Sequence, residues 1–370
     1  MQISQLTWSN HEKWGTPPNF TADLVLVFAE DPFFQTEACY IELRAMFPKS
    51  NIIGCSTSGN IMGVTIHDSN IVATIIKLEH SRIRIASVDI TPEASSFILG
   101  TQLLTELNEP DLRHVFVLSD GLQVNGSELG TGLNQTGIPI TGGLSGDGTR
   151  FQNTWVMANS PAVVGRIVAI GFYGQVTIKS GSFAGWDEFG ADRVVTKSSH
   201  NIVYTIDDEP ALGLYKKYLG DQAINLPASG LRFPLSIRSG ATTDTPLIRT
   251  LLGINEEDQS LTFAGDVPQG YLCKLMRTNL DKLIHSAGLA AKTLHLNDAG
   301  KNTLCLIVSC VGRRIVMGQL TEEELEVVRD ELDKTTVISG FYAYGEFAPF
   351  SELLTCQFHN QTLTLTTFCE

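Results

Sequence analysis

The residues best suited to chemistry cluster near the end of the chain. Gly340-Phe-Tyr-Ala-Tyr-Gly-Glu346 brings together Tyr342, Tyr344, Gly345 and Glu346, and His359, Asn360 and Thr362 follow within the run Cys356 to Thr366. Polar groups this dense on strand-like backbone must be solvated, satisfied by one another, or turned toward a ligand. Upstream, Leu304-Cys-Leu-Ile-Val-Ser-Cys310-Val-Gly-Arg313-Arg314 sets a thiol and two guanidiniums at a strand end. Arg313 there can clamp a carboxylate or phosphate bidentately and would lower the pKa of Cys310. The plain alternative is an ion pair between Arg313 and one of the chain's many acids.

Three glycine clusters stand in the first half: Gly54-Cys-Ser-Thr-Ser-Gly59, Ser119-Asp-Gly-Leu-Gln-Val-Asn-Gly126 and Thr141-Gly-Gly-Leu-Ser-Gly-Asp147-Gly148. Such loops gather backbone N–H groups and hydroxyls at strand ends, where α/β sheets bind ligands. Singly each reads as a tight turn; three together favour a binding cleft with Gly54, Cys55, Asp120, Gly142, Gly143 and Asp147 as candidates. None is a phosphate-binding P-loop or a dinucleotide fingerprint. Cys55 on its turn resembles a nucleophile, but it needs a base, and neither His67 nor His114 has a spacing that selects it. A small buried residue explains it more simply. The eight histidines show no metal-ligand spacing, so no metal site is expected. No cofactor is evident; haem is the alternative, because one axial histidine, His359 or another, leaves no spacing signature. A buried side chain satisfied by a neighbour is the simpler account of His359.

Composition narrows the partners. A net charge of −14 opposes nucleic acid and anionic membrane surfaces. The longest apolar stretch, Ala162 to Tyr173, is interrupted by Arg166 and falls short of the ~20 residues a membrane helix needs. The first residues lack the basic start and apolar core of a signal peptide. Seven cysteines without a CxxC pair read as reduced thiols. The expectation is a soluble cytoplasmic protein.

These residues need a frame to position them. Ala22 to Phe28, Asn51 to Gly54 and His114 to Ser119 read as buried strands, with helices expected near Phe34 to Phe47 and Glu93 to Leu107. Ile71 to Leu78 and Arg82 to Val88 look like a hairpin. In the second half, strands are expected at Gly270 to Met276 and Thr303 to Ser309, and a helix at Asn279 to Ala291. Thr321-Glu-Glu-Glu324 reads as a capping box before a core-facing helix. No internal repeat is visible. The fold class is mixed α/β (α+β): two layered domains, 1–222 and 223–370, with mixed, partly antiparallel sheets.

Taken in order, these motifs resemble the FIST family. Gly54-Cys-Ser-Thr-Ser-Gly59-Asn-Ile, Ser119-Asp-Gly121, Gly142-Gly-Leu-Ser-Gly-Asp147 and Val195-Thr-Lys-Ser are similar to a FIST N domain. Ser309-Cys-Val-Gly-Arg313, Gly340 to Glu346 and His359-Asn-Gln-Thr-Leu-Thr364 are similar to a FIST C domain. The resemblance implies a sensory input domain that binds a small ligand, an amino acid or related metabolite. Some members resemble haem-binding nitric oxide sensors acting on a histidine kinase. Two such domains leave no room for an output module, so signalling is expected to reach a separate protein, a histidine kinase or cyclic-di-GMP enzyme, or to pass through a homodimer interface. Arg314 departs from the small residue expected after Arg313.

The leading expectation is therefore a non-catalytic sensor. Its cleft would be lined by Arg313, Tyr342, Tyr344, Glu346, His359, Asn360 and Thr362, with Arg313 holding the carboxylate and Glu346 the ammonium of a zwitterion. A haem sensor is the alternative, and a thiol enzyme using Cys310 or Cys55 the second.

Overall fold

Three stretches of the chain fold as strand–helix–strand units whose two strands run parallel. They are Leu24–Ala29 with Asn51–Ser56, Leu112–Ser119 with Ile140–Leu144, and Leu304–Cys310 with Val337–Ala343. Their first strands are almost wholly buried, as parallel strands covered on both faces must be. The structure is a computed structural model and describes residues 1–9, 11–240, 246–294, 302–349 and 355–370. In each unit a glycine of the second strand pairs with the first: Gly54 with Val27, Gly142 with Val117, Gly340 with Ile307. A Cβ on any of the three would collide with the backbone oxygen of that partner.

Each parallel pair is flanked by antiparallel strands, giving one five-stranded and two six-stranded mixed sheets. Asn70–Lys77, Arg166–Gly174 and Leu363–Cys369 flank the first strands of the three units, each returning to its own sheet. The opposite flank is exchanged. Asn60–Met62, leaving the first unit, pairs in the third sheet; Val156–Ala158, leaving the second, pairs in the first; Gly345–Pro349, leaving the third, pairs in the second. The exchange closes a cycle. The inner faces of all three sheets share one core that includes Phe28, Phe116, Val308, Phe341 and Phe368. Helices cover the outer faces: Ala38–Met46 on the first, Ser96–Leu107 and Gly126–Leu133 on the second, Leu280–Lys292 and Glu323–Glu331 on the third. A repeat thus exists where none was expected, because topology and one glycine recur while the packed side chains differ.

A separate antiparallel module, Asp187 to Arg277, is inserted ahead of the third unit, between the third sheet's edge strand Thr177–Phe183 and the helix Leu280–Lys292. Its eight strands form one sheet around the helix Ala211–Leu219, with a core of their own that includes Val203, Leu212, Tyr215 and Phe263. Asp187 pairs with Arg277, so the module leaves and rejoins the body at one place. The division expected at 222/223 falls inside this module and does not separate sheets. Two local expectations are also corrected. Asn70–Lys77 and Ser81–Asp89 are consecutive but lie in different sheets, so they form no hairpin. No capping box forms at Thr321: the cap of Glu323–Glu331 is Glu322, and Glu324 is turned inward and wholly buried.

Candidate functional site

The parallel strands of the second and third units end side by side, at Ser119, Leu144, Cys310 and Ala343. Beyond those ends a cleft of about 560 Å³ opens between the body and the inserted module. The second unit lines it with Gly121, Leu122 and Phe151, and the third with Cys310, Gly312 and Tyr344. The module contributes Leu226, Leu231, Thr250 and Leu251. Carboxyl ends of parallel strands are where open α/β sheets receive ligands, because loops diverge there and leave a crevice. The volume is within the ~300–1,000 Å³ usual for small-molecule sites. Among the described residues, none that lines the cleft is charged.

Two carboxylates hold the loops of this wall. Asp120 accepts from the backbone N–H of Leu122 and Gln123, both at 2.8 Å, and of Gly165 at 2.9 Å. Asp147 accepts from the N–H of Phe151 and Gln152 at 2.8 Å and Asn153 at 3.0 Å, and from the Tyr344 hydroxyl. Burial works against the charge of Asp147, but these donors outweigh it and lower its pKa. Tyr344 also stacks on Phe151, with ring centroids 4.6 Å apart. Both acids are spent on the protein itself. Gly142 and Gly143 lie in the strand beneath, and Gly54 and Cys55 lie in the first sheet, Cys55 in the shared core.

Arg313 is corrected from ligand clamp to internal strut. Its side chain is fully buried and donates to Glu324 Oε2 from Nε at 3.2 Å and from Nη2 at 2.9 Å. Nη1 donates to Ala184 O at 2.6 Å and Nη2 to Leu283 O at 2.9 Å. Tyr342 donates to the other oxygen of Glu324 at 2.7 Å, and Ser309 does so at 3.0 Å. Neither Arg313 nor Tyr342 reaches the cleft. Arg314, the departure noted in the sequence, spans to the first unit and donates to Ser58 O and to Asp68 at 2.6 Å.

The thiol expectation is likewise corrected. Burial pushes the Cys310 thiol well up, the Glu346 carboxyl adds to it, and the opposing influence of Arg313 is smaller. Burial also holds the Cys55 thiol far above its ordinary range. Neither is poised as a thiolate at neutral pH.

Glu346, Asn360 and Thr362 form a buried corner directly behind the cleft wall. Thr362 Oγ1 donates to Glu346 Oε2 at 2.6 Å. Burial raises Glu346 to about 8, while the Thr362 bonds, Arg313 and the Cys310 thiol pull the other way. Gly345 supports the corner from the adjoining strand, where a Cβ would strike Phe358. Histidine ligation of haem does not fit this cleft. His359 is buried with Nε2 3.0 Å from Ala348 O, burial lowers its pKa to about 4, and no lining residue is a histidine. His295 lies outside the described residues. Among the described residues no cluster of His, Cys, Asp or Glu could hold a metal, and no helix is long and apolar enough to cross a membrane.

Comparison with known proteins agrees with the motifs. The FIST N domain model matches residues 23–209 and the FIST C domain model residues 211–349. The chain belongs to the FIST family. Its two regions are those of a sensory domain that binds small ligands. An uncharacterized protein of Methanocaldococcus jannaschii is 24% identical to this FIST chain over 310 residues, spanning 76% of the chain and 58% of the relative. Of the residues lining the FIST cleft, Cys310 and Tyr344 are sequence candidates; Leu122 and Phe151, and the module's Leu226, Leu231 and Thr250 to Leu252, are not. Leu226 and Leu231 lie just past the boundary expected at 222/223, in a stretch of mixed polar, glycine and proline residues. The one available signal was the apolar Leu226 and Leu231 spaced among its turn residues.

Proposed function

We propose that this FIST protein is a non-catalytic sensor whose small ligand occupies the cleft between the inserted module and the ends of the parallel strands. One observation carries the reading. Thr250 lines the cleft, is 4% exposed, and its Oγ1 has no hydrogen-bond partner among the described residues. A buried hydroxyl left unpaired costs about 1–3 kcal/mol, and a ligand would recover it. The module meets the body along this cleft, so a ligand bridging both favours one arrangement and supplies the differential affinity that a switch requires. The output would pass in trans to a cytoplasmic signalling partner, a histidine kinase or cyclic-di-GMP enzyme, with a homodimer as the second route. The amino acid suggested by the motifs is the less suitable ligand here, because no lining residue supplies a cation for its carboxylate.

The reading is tested by thermal shift against a panel of small, mainly apolar molecules, with Leu231→Trp as a variant whose cleft is filled. Binders should raise the melting temperature of the wild type by roughly 2 °C or more at saturating concentration. The same compounds should leave Leu231→Trp unmoved. Equal shifts in both proteins would place binding elsewhere and overturn the proposal.

A further inference from the structure

Three buried oxygens behind the cleft wall have no hydrogen-bond partner among the described residues: Glu346 Oε1, Asn360 Oδ1 and Gln361 Oε1. All three residues are 0% exposed. Native proteins leave few such groups, and each costs about 1–3 kcal/mol. The amide nitrogens fix which end is open. Asn360 Nδ2 donates to His359 O at 3.0 Å and Gln361 Nε2 to Leu231 O at 3.2 Å, and a flip would set oxygen against oxygen. The corner therefore presents acceptors.

The corner abuts the cleft through residues that line it. Gln361 packs on Gly312 and bonds to Leu231; Asn360 packs on Gly345, next to Tyr344; the carboxyl of Glu346 faces Cys310. The charged and titratable groups around Glu346 are Cys310, Arg313 and its cross-strand neighbour His359. Arg313 is committed to Glu324, and burial holds His359 neutral at pH 7. An anionic ligand would thus be buried without a counter-ion, which is costly, whereas a cation would pair with Glu346 as its carboxyl gives up the proton that burial otherwise retains.

We propose that the ligand of this cleft is an amine with an apolar body and no carboxylate, its nitrogen directed past Cys310 and Gly312 to Glu346, Asn360 and Gln361. The inference rests on the cleft being the binding site. It adds a head group: an ammonium as donor to buried acceptors that the described residues leave unpaired. The apolar body lies against Leu122, Phe151, Leu226 and Leu251.

Three probes with one body and different heads test it: 4-phenylbutylamine, 4-phenylbutan-1-ol and 4-phenylbutyrate, titrated calorimetrically into the full chain at pH 8. The amine should bind roughly 10- to 100-fold more tightly than the alcohol, as expected for a charge-assisted hydrogen bond, and the carboxylate most weakly. Glu346→Gln should remove the amine's advantage over the alcohol, bringing the two affinities together. Should that variant not fold, the wild-type series decides alone. Binding of the carboxylate as tight as that of the amine overturns the head-group assignment, as does an amine that does not bind. In Leu231→Trp, loss of all binding with equal affinities in the wild type would retain the cleft and reject the amine. Binding that persists in Leu231→Trp would reject the cleft itself.

Discussion

Arg313 Nη2 lies 2.9 Å from Glu324 Oε2, with both side chains 0% exposed. The pair joins the helix after Cys310 to the helix that carries Glu324, and Leu283 O and Ala184 O complete the guanidinium's contacts. A buried charge deprived of its partner is expensive, at about 3–5 kcal/mol, whereas removing both partners can be nearly neutral.

Arg313→Met should therefore destabilise the protein by about 3–5 kcal/mol in urea unfolding, and Arg313→Met/Glu324→Met should recover much of that loss. A single variant that unfolded like wild type but lost ligand binding would return Arg313 to the role of clamp.

Glu346 gives stability a pH dependence of unusual sign. Its carboxyl is raised from 4.5 to about 8 in the folded protein, chiefly by burial. Between those values the unfolded chain has released the proton and the folded chain has kept it. Stability therefore falls as pH rises across that window, by an amount on the order of a few kcal/mol. Glu346→Gln should gain on the wild type progressively from pH 5 to pH 8 in denaturant titrations. A constant difference would mean that Glu346 ionises normally. His114 and His359, lowered by burial to about 3 and about 4, cost stability only below pH 6.5 and leave the upper window clear.

The repeated glycine is a requirement of strand approach. Gly54 is the clearest case, because its φ is ordinary and only collision with Val27 opposes a side chain. Gly54→Ala should cost roughly 3 kcal/mol or more, by overpacking a strand pair that cannot separate. Gly253→Ala, also in a strand but meeting only Thr262 at 3.8 Å, should change the urea midpoint little. Equal effects at the two sites would show that the close approach is not what selects glycine.

Much of the frame was legible because buried parallel strands write themselves as apolar runs, as Leu304 to Cys310 does. The dense polar tail is equally visible in the sequence, and in the structure Tyr344 from it lines the cleft. What misled was the direction of its side chains. Arg313 and Tyr342 are cleft candidates by sequence, but the helix Val311–Met317 and the strand Val337–Ala343 turn them toward Glu324, an acid whose sequence context imitates a capping box. Partner choice of this kind is set by elements more than ten residues away, and single-sequence periodicity carries no trace of it. The inserted module escaped for a related reason: Asp187 and Arg277 pair across 90 positions, and nothing local marks them as neighbours.

The cyclic exchange of strands has a consequence for how the family can be cut. A chain stopped between the two FIST regions would leave Asn60–Met62 without Val337–Ala343 and Ile140–Leu144 without Gly345–Pro349. Both would become raw sheet edges, the kind of surface that recruits foreign strands and aggregates. The FIST N and FIST C regions are thus a single heritable part, workable only when copied, fused or transplanted together.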